Sequence, residues 1–207
     1  MESLKEEQKK LAKKLIIKDQ FDKIETVAGA DQAFIENKII SSIVICNYED
    51  MQPIESKYSI TEASIPYIKG YRSFREGPSI IDAYSKLNFK PTVLMVAGHG
   101  IAHLRKMGLA SYIGIALDIP TIGIARNLLH GIIKDNKIYV DNEIRGELLK
   151  TKDKARPLCI SPGNKITLAT SLEIVKNCIR APHKMPEPLH LAHKYAKKIK
   201  NNVLKSE

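Results

Sequence analysis

The sequence of 207 residues has no tryptophan, only three cysteines and few aromatic residues. Aromatics make up 6% of the chain, so a broad platform for stacking single-stranded bases is not expected. The cysteines form no Cys-x-x-Cys pair, which argues against a zinc site or a disulfide framework. We expect three reduced thiols in the core of a cytoplasmic protein, at Cys46, Cys159 and Cys178.

Long apolar runs are also absent. None approaches the roughly 18 residues of a membrane-spanning helix, and the charged N-terminus is unlike a signal peptide. Hydrophobic residues are 43% and charged residues 27%, which is ordinary for a soluble globular protein with a real core. We therefore predict a single domain over residues 1–207 that has no membrane association and acts as a monomer.

What the chain does have is an excess of positive charge. Lys and Arg number 33 against 23 Asp and Glu, a formal net charge of +10. Such an excess favours polyanionic partners: nucleic acid, anionic membrane or phosphorylated ligands. Residues 180–207 alone contain seven Lys or Arg and two Glu. This end of the chain is either a solvated helix face or a patch that contacts a nucleic-acid backbone.

The order of predicted elements indicates an α/β fold with a mixed sheet flanked by helices. After an N-terminal amphipathic helix, three strands are predicted as an antiparallel meander, at 26–34, 38–48 and 57–65. A loop rich in Pro and Gly follows, and Pro78 suits the first turn of a helix over 79–87.

The second half of the chain alternates between predicted strands and helices. Its predicted strands are a buried one at 92–98, another at 120–125, two at the surface within 133–154, and a last one at 156–163 that ends in a turn. Its predicted helices are 101–117, 168–179 and 189–201.

Two carboxylates stand where such sheets collect their ligands, at strand ends and in the following loops. Asp31 follows the apolar run Val-Ala-Gly-Ala, where a lone carboxylate costs free energy unless it is paired or bound to a cation. Glu76 lies before the Pro78 helix, where it would also suit a helix dipole. A metal-dependent phosphodiesterase would want another carboxylate after strand 92–98, but that position is Ala97.

Residues 98–103, Gly-His-Gly-Ile-Ala-His, offer a rival interpretation as a dinucleotide-binding turn that lacks its third glycine. Asp118 lies twenty residues beyond Gly98, near where a ribose-binding acid could fall. Against this, His103 is too bulky for close packing and the first strands form a meander. His99 and His103 have helical metal-ligand spacing without the HExxH pattern, so His103 facing a phosphate is the better interpretation.

Several sequence blocks, in this order and at these spacings, closely resemble the endonuclease V family: VAGADQAF, IPYIKGYRSFREGP, AGHGIAHLRKMGLAS, DIPTIGIAR and PLCISPGNK. The resemblance runs from about residue 5 to residue 200 and includes the closing segment PEPLHLAHKYAKK. It implies a ribonuclease H-like fold, in agreement with the element order. It also implies Mg²⁺-dependent hydrolysis of a phosphodiester one nucleotide beyond a deaminated purine, chiefly deoxyinosine in DNA or inosine in RNA.

The resemblance also implies roles for individual residues. Asp31 matches the family's metal-binding aspartate and Glu76 its second active-site acid, with Mg²⁺ as the cofactor and Mn²⁺ as a substitute. Pro66, Tyr67, Ile68 and Lys69 match the family's wedge, which separates the strands beside the lesion. Side chains inserted in this way partly compensate for the cost of an unstacked base. The other positions expected to face the extruded base or the nucleic-acid backbone are Gly70, Gly98, Gly100, His103, Arg126, Ser161, Pro162 and Gly163.

The chain departs from the family pattern at a few positions. Lys69 replaces a proline, Arg126 a lysine and Asn164 a histidine. The departure at Ala97 is the most serious, because the family has an aspartate there as the other direct metal ligand. Without it, affinity for Mg²⁺ is expected to fall steeply.

Three hypotheses therefore stand. The first is an endonuclease that cuts DNA, or RNA, beside a deaminated base, with weakened activity or altered metal demand. The second is a non-catalytic relative that only binds deaminated or distorted nucleic acid through Tyr67, the glycine turns and the positive charge. The third is the nucleotide-binding enzyme suggested by residues 98–103.

Overall fold

The molecule, a computed structural model in which residues 2–206 are described, is organised around one mixed β-sheet with helices on both faces. The sheet has nine strands in the spatial order β3-β2-β1-β4-β5-β9-β8-β7-β6. Their bounds are β1 Thr26–Ile35, β2 Lys38–Asn47, β3 Pro53–Glu62, β4 Val93–Ala97, β5 Thr121–Ala125, β6 Ile132–Lys134, β7 Lys137–Val140, β8 Glu143–Leu149 and β9 Leu158–Asn164. The helices are α1 Glu2–Ala12, α2 Arg72–Ser85, α3 Leu109–Ala116, α4 Leu168–Asn177 and α5 Glu187–Ser206.

The first three strands form the predicted antiparallel meander, and β4 runs parallel to both β1 and β5. An opening meander is incompatible with the βαβ unit of a dinucleotide-binding fold. Asp118, the acid that the dinucleotide interpretation needed, instead forms an ion pair of 2.7 Å with Lys165 at the far end of α3. The structure therefore gives no support to the third hypothesis.

Apolar side chains on the two faces of the sheet form separate cores, because successive residues of a strand point to opposite faces. Val27, Met95 and Ile122 belong to the core under α4 and α5, while Ala28 and Leu94 belong to the core under α2 and α3. Both cores are dominated by fully buried aliphatic residues. No helix of the described residues is long and apolar enough to span a membrane.

The predicted helix over 101–117 was wrong in its first half. Residues 98–108 form a loop, and α3 begins at Leu109. The loop is fastened to β9 because the Gly100 amide donates to Ser161 Oγ at 2.8 Å and the Ile101 amide donates to the Pro162 carbonyl at 2.8 Å. Farther along the loop, the Arg105 amide donates to His103 Nδ1 and the Gly108 amide donates to the Gly100 carbonyl, so neither amide makes the i to i−4 bond of a helix.

Three other element predictions need correction. Helix α2 begins at Arg72, so Pro78 lies inside it rather than in its first turn. Ser161-Pro162-Gly163 lies within β9 rather than in a turn, and Pro162 sits at a register irregularity, where a strand tolerates proline. The segment 133–154 contributes to three strands, β6, β7 and β8, rather than two.

Helix α5 crosses the sheet in very close contact with β1. A Cβ atom added to Gly29 would lie 2.3 Å from the backbone of Pro188, so only glycine fits at this crossing. We predict that Gly29→Ala lowers the free energy of unfolding by about 1–3 kcal/mol through overpacking. Urea denaturation followed by circular dichroism would measure it, and an unchanged midpoint would contradict this account of the crossing.

Candidate functional site

A cleft of about 430 Å³ opens at the carboxyl ends of the parallel strands β4 and β5, beside the middle of β1. Ala30 lies opposite Val96 in the register, so Asp31 and Ala97 come next on neighbouring strands, and Ala97 pairs with Ile124 of β5. The cleft is lined by Asp31, Gln32, Arg72, Ala97, Gly98, His99, Ile124, Ala125, Arg126, Asn127, Leu128, Leu129, Met185 and His193. Four predicted positions therefore meet here: Asp31, Ala97, Gly98 and Arg126.

Asp31 is held by a residue that the sequence analysis did not single out. His193 of α5 places its Nδ1 atom 2.8 Å from Asp31 Oδ2. Asp31 Oδ1 accepts a hydrogen bond of 2.8 Å from the backbone amide of Gln32. Because an ionised carboxylate can only accept, the Nδ1 atom carries the proton, and Nε2 is free to accept when the ring is neutral. The signal for His193 lay in the closing block PEPLHLAHKYAKK, whose histidines were not assigned a role.

The position of α5 is what brings this histidine to Asp31. Ser42 of β2, the register partner of Asp31, donates its hydroxyl to the Ala192 carbonyl at 2.7 Å. Ala192 itself is fully buried against the sheet. The following residue, His193, therefore emerges at the edge of the cleft with half of its side chain exposed.

Glu76 lies on the other face of the sheet and is paired with an arginine. Its side chain is only 2% exposed, and both carboxylate oxygens lie 2.7 Å from Arg72 Nε. The guanidinium of Arg72 also donates to Gln32 Oε1 at 3.2 Å. Arg72 lines the cleft and covers Glu76, so the cleft presents a cation where a second acid was expected.

The side chains around the cleft do not fit the metal site that the resemblance implies. Asp31 is the one carboxylate that lines the cleft among the described residues, because Glu76 is buried beneath Arg72 and residue 97 contributes only a methyl group. Within residues 2–206, no three His, Cys, Asp or Glu side chains converge as metal ligands. Mg²⁺ prefers several oxygen ligands in a near-octahedral arrangement, which this donor set does not supply.

A smaller cavity of about 160 Å³ adjoins the cleft. It shares Arg72 and His99 with the cleft and contains the predicted residues Tyr67, Gly70 and His103. The remaining lining residues are Ser73, Met107, Gly108, Leu109 and Leu129. Tyr67 is 66% exposed at its rim, as expected of a side chain that inserts into a partner.

The hydrogen bonds of His103 fix its tautomer. Its Nδ1 accepts the Arg105 amide at 3.1 Å, so its Nε2 carries the proton and donates to the Gly70 carbonyl at 3.1 Å. Burial and the nearby Arg105 charge lower the pKa of His103 to about 4. His103 is therefore neutral at physiological pH, and it binds backbone rather than presenting a charge to a phosphate.

Burial lowers the pKa of His99 to about 4, and the Arg72 charge acts in the same direction. Its Nε2 lies 3.0 Å from the Asn127 carbonyl oxygen. At neutral pH this ring nitrogen is therefore a protonated donor on an uncharged ring. His99 contributes shape and polarity to the wall between the two cavities, but no charge.

Gly70 anchors the wedge loop to the rest of the cavity. Its φ of +84° is a conformation that favours glycine, and its carbonyl accepts from three side chains: Gln8 of α1 at 3.0 Å, His103 at 3.1 Å and Arg105 at 3.1 Å. Gln8 is fully buried, and its Oε1 accepts from Arg105 Nε. Gln8 carries no signal of this role in the sequence, because a glutamine in a charged helix resembles an ordinary surface residue.

Three other predicted residues, Gly100, Ser161 and Gly163, are buried. Ser161 is buried and bonded to Gly100, and a Cβ atom on Gly100 would lie 2.0 Å from the Pro162 carbonyl oxygen. Gly163 likewise packs against Ala110. None of these residues lines either cavity in the described part of the chain.

Asn164, the position where the family has histidine, is also structural here. It is 2% exposed, donates to the Gly114 carbonyl at 2.9 Å and accepts the Ile16 amide at 3.0 Å. It therefore joins β9 to α3 and to the segment after α1. Asn164 is not among the described residues that line the cleft.

Comparison with known proteins identifies relatives over nearly the whole chain. The family model for Endonuclease V matches residues 9–194. An Endonuclease V of Dictyoglomus thermophilum is 41% identical over 97% of this chain and 91% of its own length. One of Thermosipho melanesiensis is 40% identical over 93% of this chain and 88% of its own length.

Solved structures agree with the sequence comparison. Endonuclease V of Bacillus subtilis has a TM-score of 0.89 and 29% identity, covering 97% of this chain and 92% of its own. Endonuclease V of Ciona intestinalis, solved with DNA that contains an inosine, has a TM-score of 0.87 and 25% identity, covering 97% and 98%. The predicted ribonuclease H-like fold is confirmed by these neighbours. This chain belongs to the Endonuclease V family and is an endonuclease by that membership.

Proposed function

We propose that the protein recognises a deaminated purine in DNA and hydrolyses the phosphodiester one nucleotide beyond it on the 3′ side, with inosine in RNA as a second candidate substrate. The observation that carries this proposal is the small cavity that shares Arg72 and His99 with the charged cleft. An extruded base in the cavity would leave its own backbone at the cleft. We further propose that it acts as a monomer in the cytoplasm.

The wedge loop supplies the means of extrusion. Tyr67 stands exposed at the rim of the cavity, with Pro66 and Ile68 on either side. Unstacking a base costs a few kcal/mol, which an inserted aromatic ring and a closed pocket partly recover. The Gly70 carbonyl accepts hydrogen bonds from Gln8, His103 and Arg105, and these bonds fix the position of the loop relative to the cavity.

In the cleft we propose that Asp31 orients His193, whose free Nε2 can accept a proton from an attacking water. Arg126 would contribute positive charge toward the phosphate, and Glu76 would hold Arg72 in place. The family is one of metal-dependent nucleases, and Mg²⁺, with Mn²⁺ as a substitute, is the ion to test first. Because the side chains do not fit a tightly held ion, we derive no step through it.

The alternative is a protein that binds deaminated nucleic acid and does not cut it, and Ala97 is the observation that favours it. We expect cutting of a duplex with one deoxyinosine, detectable in millimolar Mg²⁺ or Mn²⁺ and abolished by Asp31→Ala. Denaturing gels of end-labelled duplex would measure it. Asp118→Ala, which changes an acid far from the cleft, should cut like the unaltered protein. Lesion-selective retention in a native gel without any cutting would establish the binding-only alternative.

Gln8 offers a test of the base cavity. We predict that Gln8→Ala lowers the affinity for inosine-containing duplex about tenfold, since Arg105 Nε loses its acceptor and the Gly70 carbonyl loses a donor, at a cost of about 1–3 kcal/mol. Affinity for unmodified duplex should change little, because the phosphate contacts remain. Fluorescence anisotropy with both duplexes gives the ratio. Glu7→Ala, an exposed position on the same helix, is the matched control. An equal loss for both duplexes would contradict the assignment.

The lysines of α5 offer a test of backbone binding. Lys197 and Lys200 lie one and two turns beyond His193 and form no ion pair with another described residue. If each contacts a phosphate, Lys197→Ala/Lys200→Ala should reduce the slope of log affinity against log salt by about 2. Lys5→Ala/Lys9→Ala on α1, where both lysines are paired with glutamates, should leave it unchanged. Identical slopes for the two double variants would show that α5 is only a solvated face.

A further inference from the structure

We infer that Arg72 is the resident cation of the cleft and that, with Gln32, it forms a phosphate-binding site that holds deaminated DNA without a divalent metal. This inference rests on the proposed function. It assigns to Arg72 the contact with the phosphate that the resemblance would have given to a carboxylate-bound ion.

Glu76 is already occupied by Arg72. Its carboxylate is 2% exposed and both oxygens share the Arg72 Nε–H group at 2.7 Å, so its charge is compensated. Removing one member of a buried ion pair is strongly unfavourable. A divalent ion that used Glu76 would have to displace the guanidinium and leave it close by as a repelling charge.

Arg72 retains hydrogen-bond donors that no described residue uses. A guanidinium has five N–H groups in a rigid fork, suited to phosphate oxygens. Glu76 takes the Nε–H group and Gln32 Oε1 takes one from a terminal nitrogen. The remaining donors belong to a side chain that is 37% exposed and lines both cavities. A phosphate that links the base cavity to the cleft would meet them.

Gln32 also lines the cleft. It is 8% exposed, its Oε1 is fixed by Arg72, and its Nε2 has no hydrogen-bond partner among the described residues. A buried donor without an acceptor costs free energy, and an arriving oxygen would relieve that cost. An N–H group can bind a phosphate oxygen but cannot ligate a cation. The orphaned N–H group therefore suits a phosphate oxygen and offers nothing to a metal ion.

Four charged side chains lie in the cleft or directly beneath it. Asp31 is the acid of the cleft, and its oxygens accept hydrogen bonds from His193 and from the Gln32 backbone amide. Arg126 adds a positive charge from the end of β5, Arg72 is paired with the buried Glu76, and His99 is neutral. These charges balance, and residue 97 adds no acid. A phosphate would therefore be held by the directed N–H donors of Arg72 and Gln32 rather than by an excess of positive charge.

The test measures binding and metal affinity separately. In EDTA, we expect the protein to bind inosine-containing duplex within about threefold of its affinity in Mg²⁺, and Arg72→Gln to lose at least tenfold. Arg156→Gln, an exposed arginine outside both cavities, is the control and should bind normally. Because Arg72→Gln leaves Glu76 unpaired, Arg72→Gln/Glu76→Gln is measured beside it, with thermal denaturation to confirm folding. The folded double variant should show the same loss.

Metal affinity is measured on the protein alone, by the electron paramagnetic resonance of Mn²⁺. We expect weak Mn²⁺ binding by the unaltered protein and by Ala97→Asp, and at least tenfold tighter binding by Ala97→Asp/Arg72→Gln, because Glu76 is then released. Micromolar Mn²⁺ binding by the unaltered protein, or normal DNA binding in EDTA by the folded Arg72 variants, would overturn the inference. If selectivity for inosine were kept in Mg²⁺ but lost in EDTA, this inference would be overturned and the proposed function would stand. Loss of selectivity under both conditions would overturn the proposed function.

Discussion

The contact between Gly29 of β1 and the backbone at Pro188 is the constraint on which the cleft depends. The helix α5 lies so close to the sheet there that no Cβ atom fits between them. This closeness, with the bond from Ser42 to the Ala192 carbonyl, sets where the next turn of α5 emerges. His193 consequently meets Asp31, although the two residues are far apart in sequence, and its Nδ1 atom lies 2.8 Å from Asp31 Oδ2.

The second organising feature is the ion pair of Glu76 with Arg72. Burial makes an unpaired carboxylate costly, so the pair fixes the guanidinium at the wall between the two cavities. One arginine therefore belongs both to the space that suits a base and to the space that suits a phosphate. Family membership settles the class of enzyme, whereas this pair gives the chain its own version of the site.

The loops show why part of the site could be predicted and part could not. Asp31, Glu76 and the wedge residues stand in contiguous blocks, so their resemblance to the family was sufficient to find them. The network around Gly70 joins Gln8 to His103 and Arg105, which lie nearly a hundred residues farther along the chain. No local pattern reports such a contact. The same cause contributes to the wrong helix over 101–108, where the Ile101 amide bonds to β9 and the Gly108 amide bonds to the Gly100 carbonyl.

By itself, the sequence determined the class of the fold, the family and the candidate carboxylates, because strand periodicity, turn residues and motif blocks are local properties. It also showed that Ala97 lacks the expected acid. Only the tertiary structure decided what occupies the space around it: His193 on Asp31, Arg72 on Glu76, and an orphaned amide on Gln32. These side chains come from different faces of the sheet and from distant elements. Their distances depend on how the helices cross the strands, which no short stretch of residues specifies.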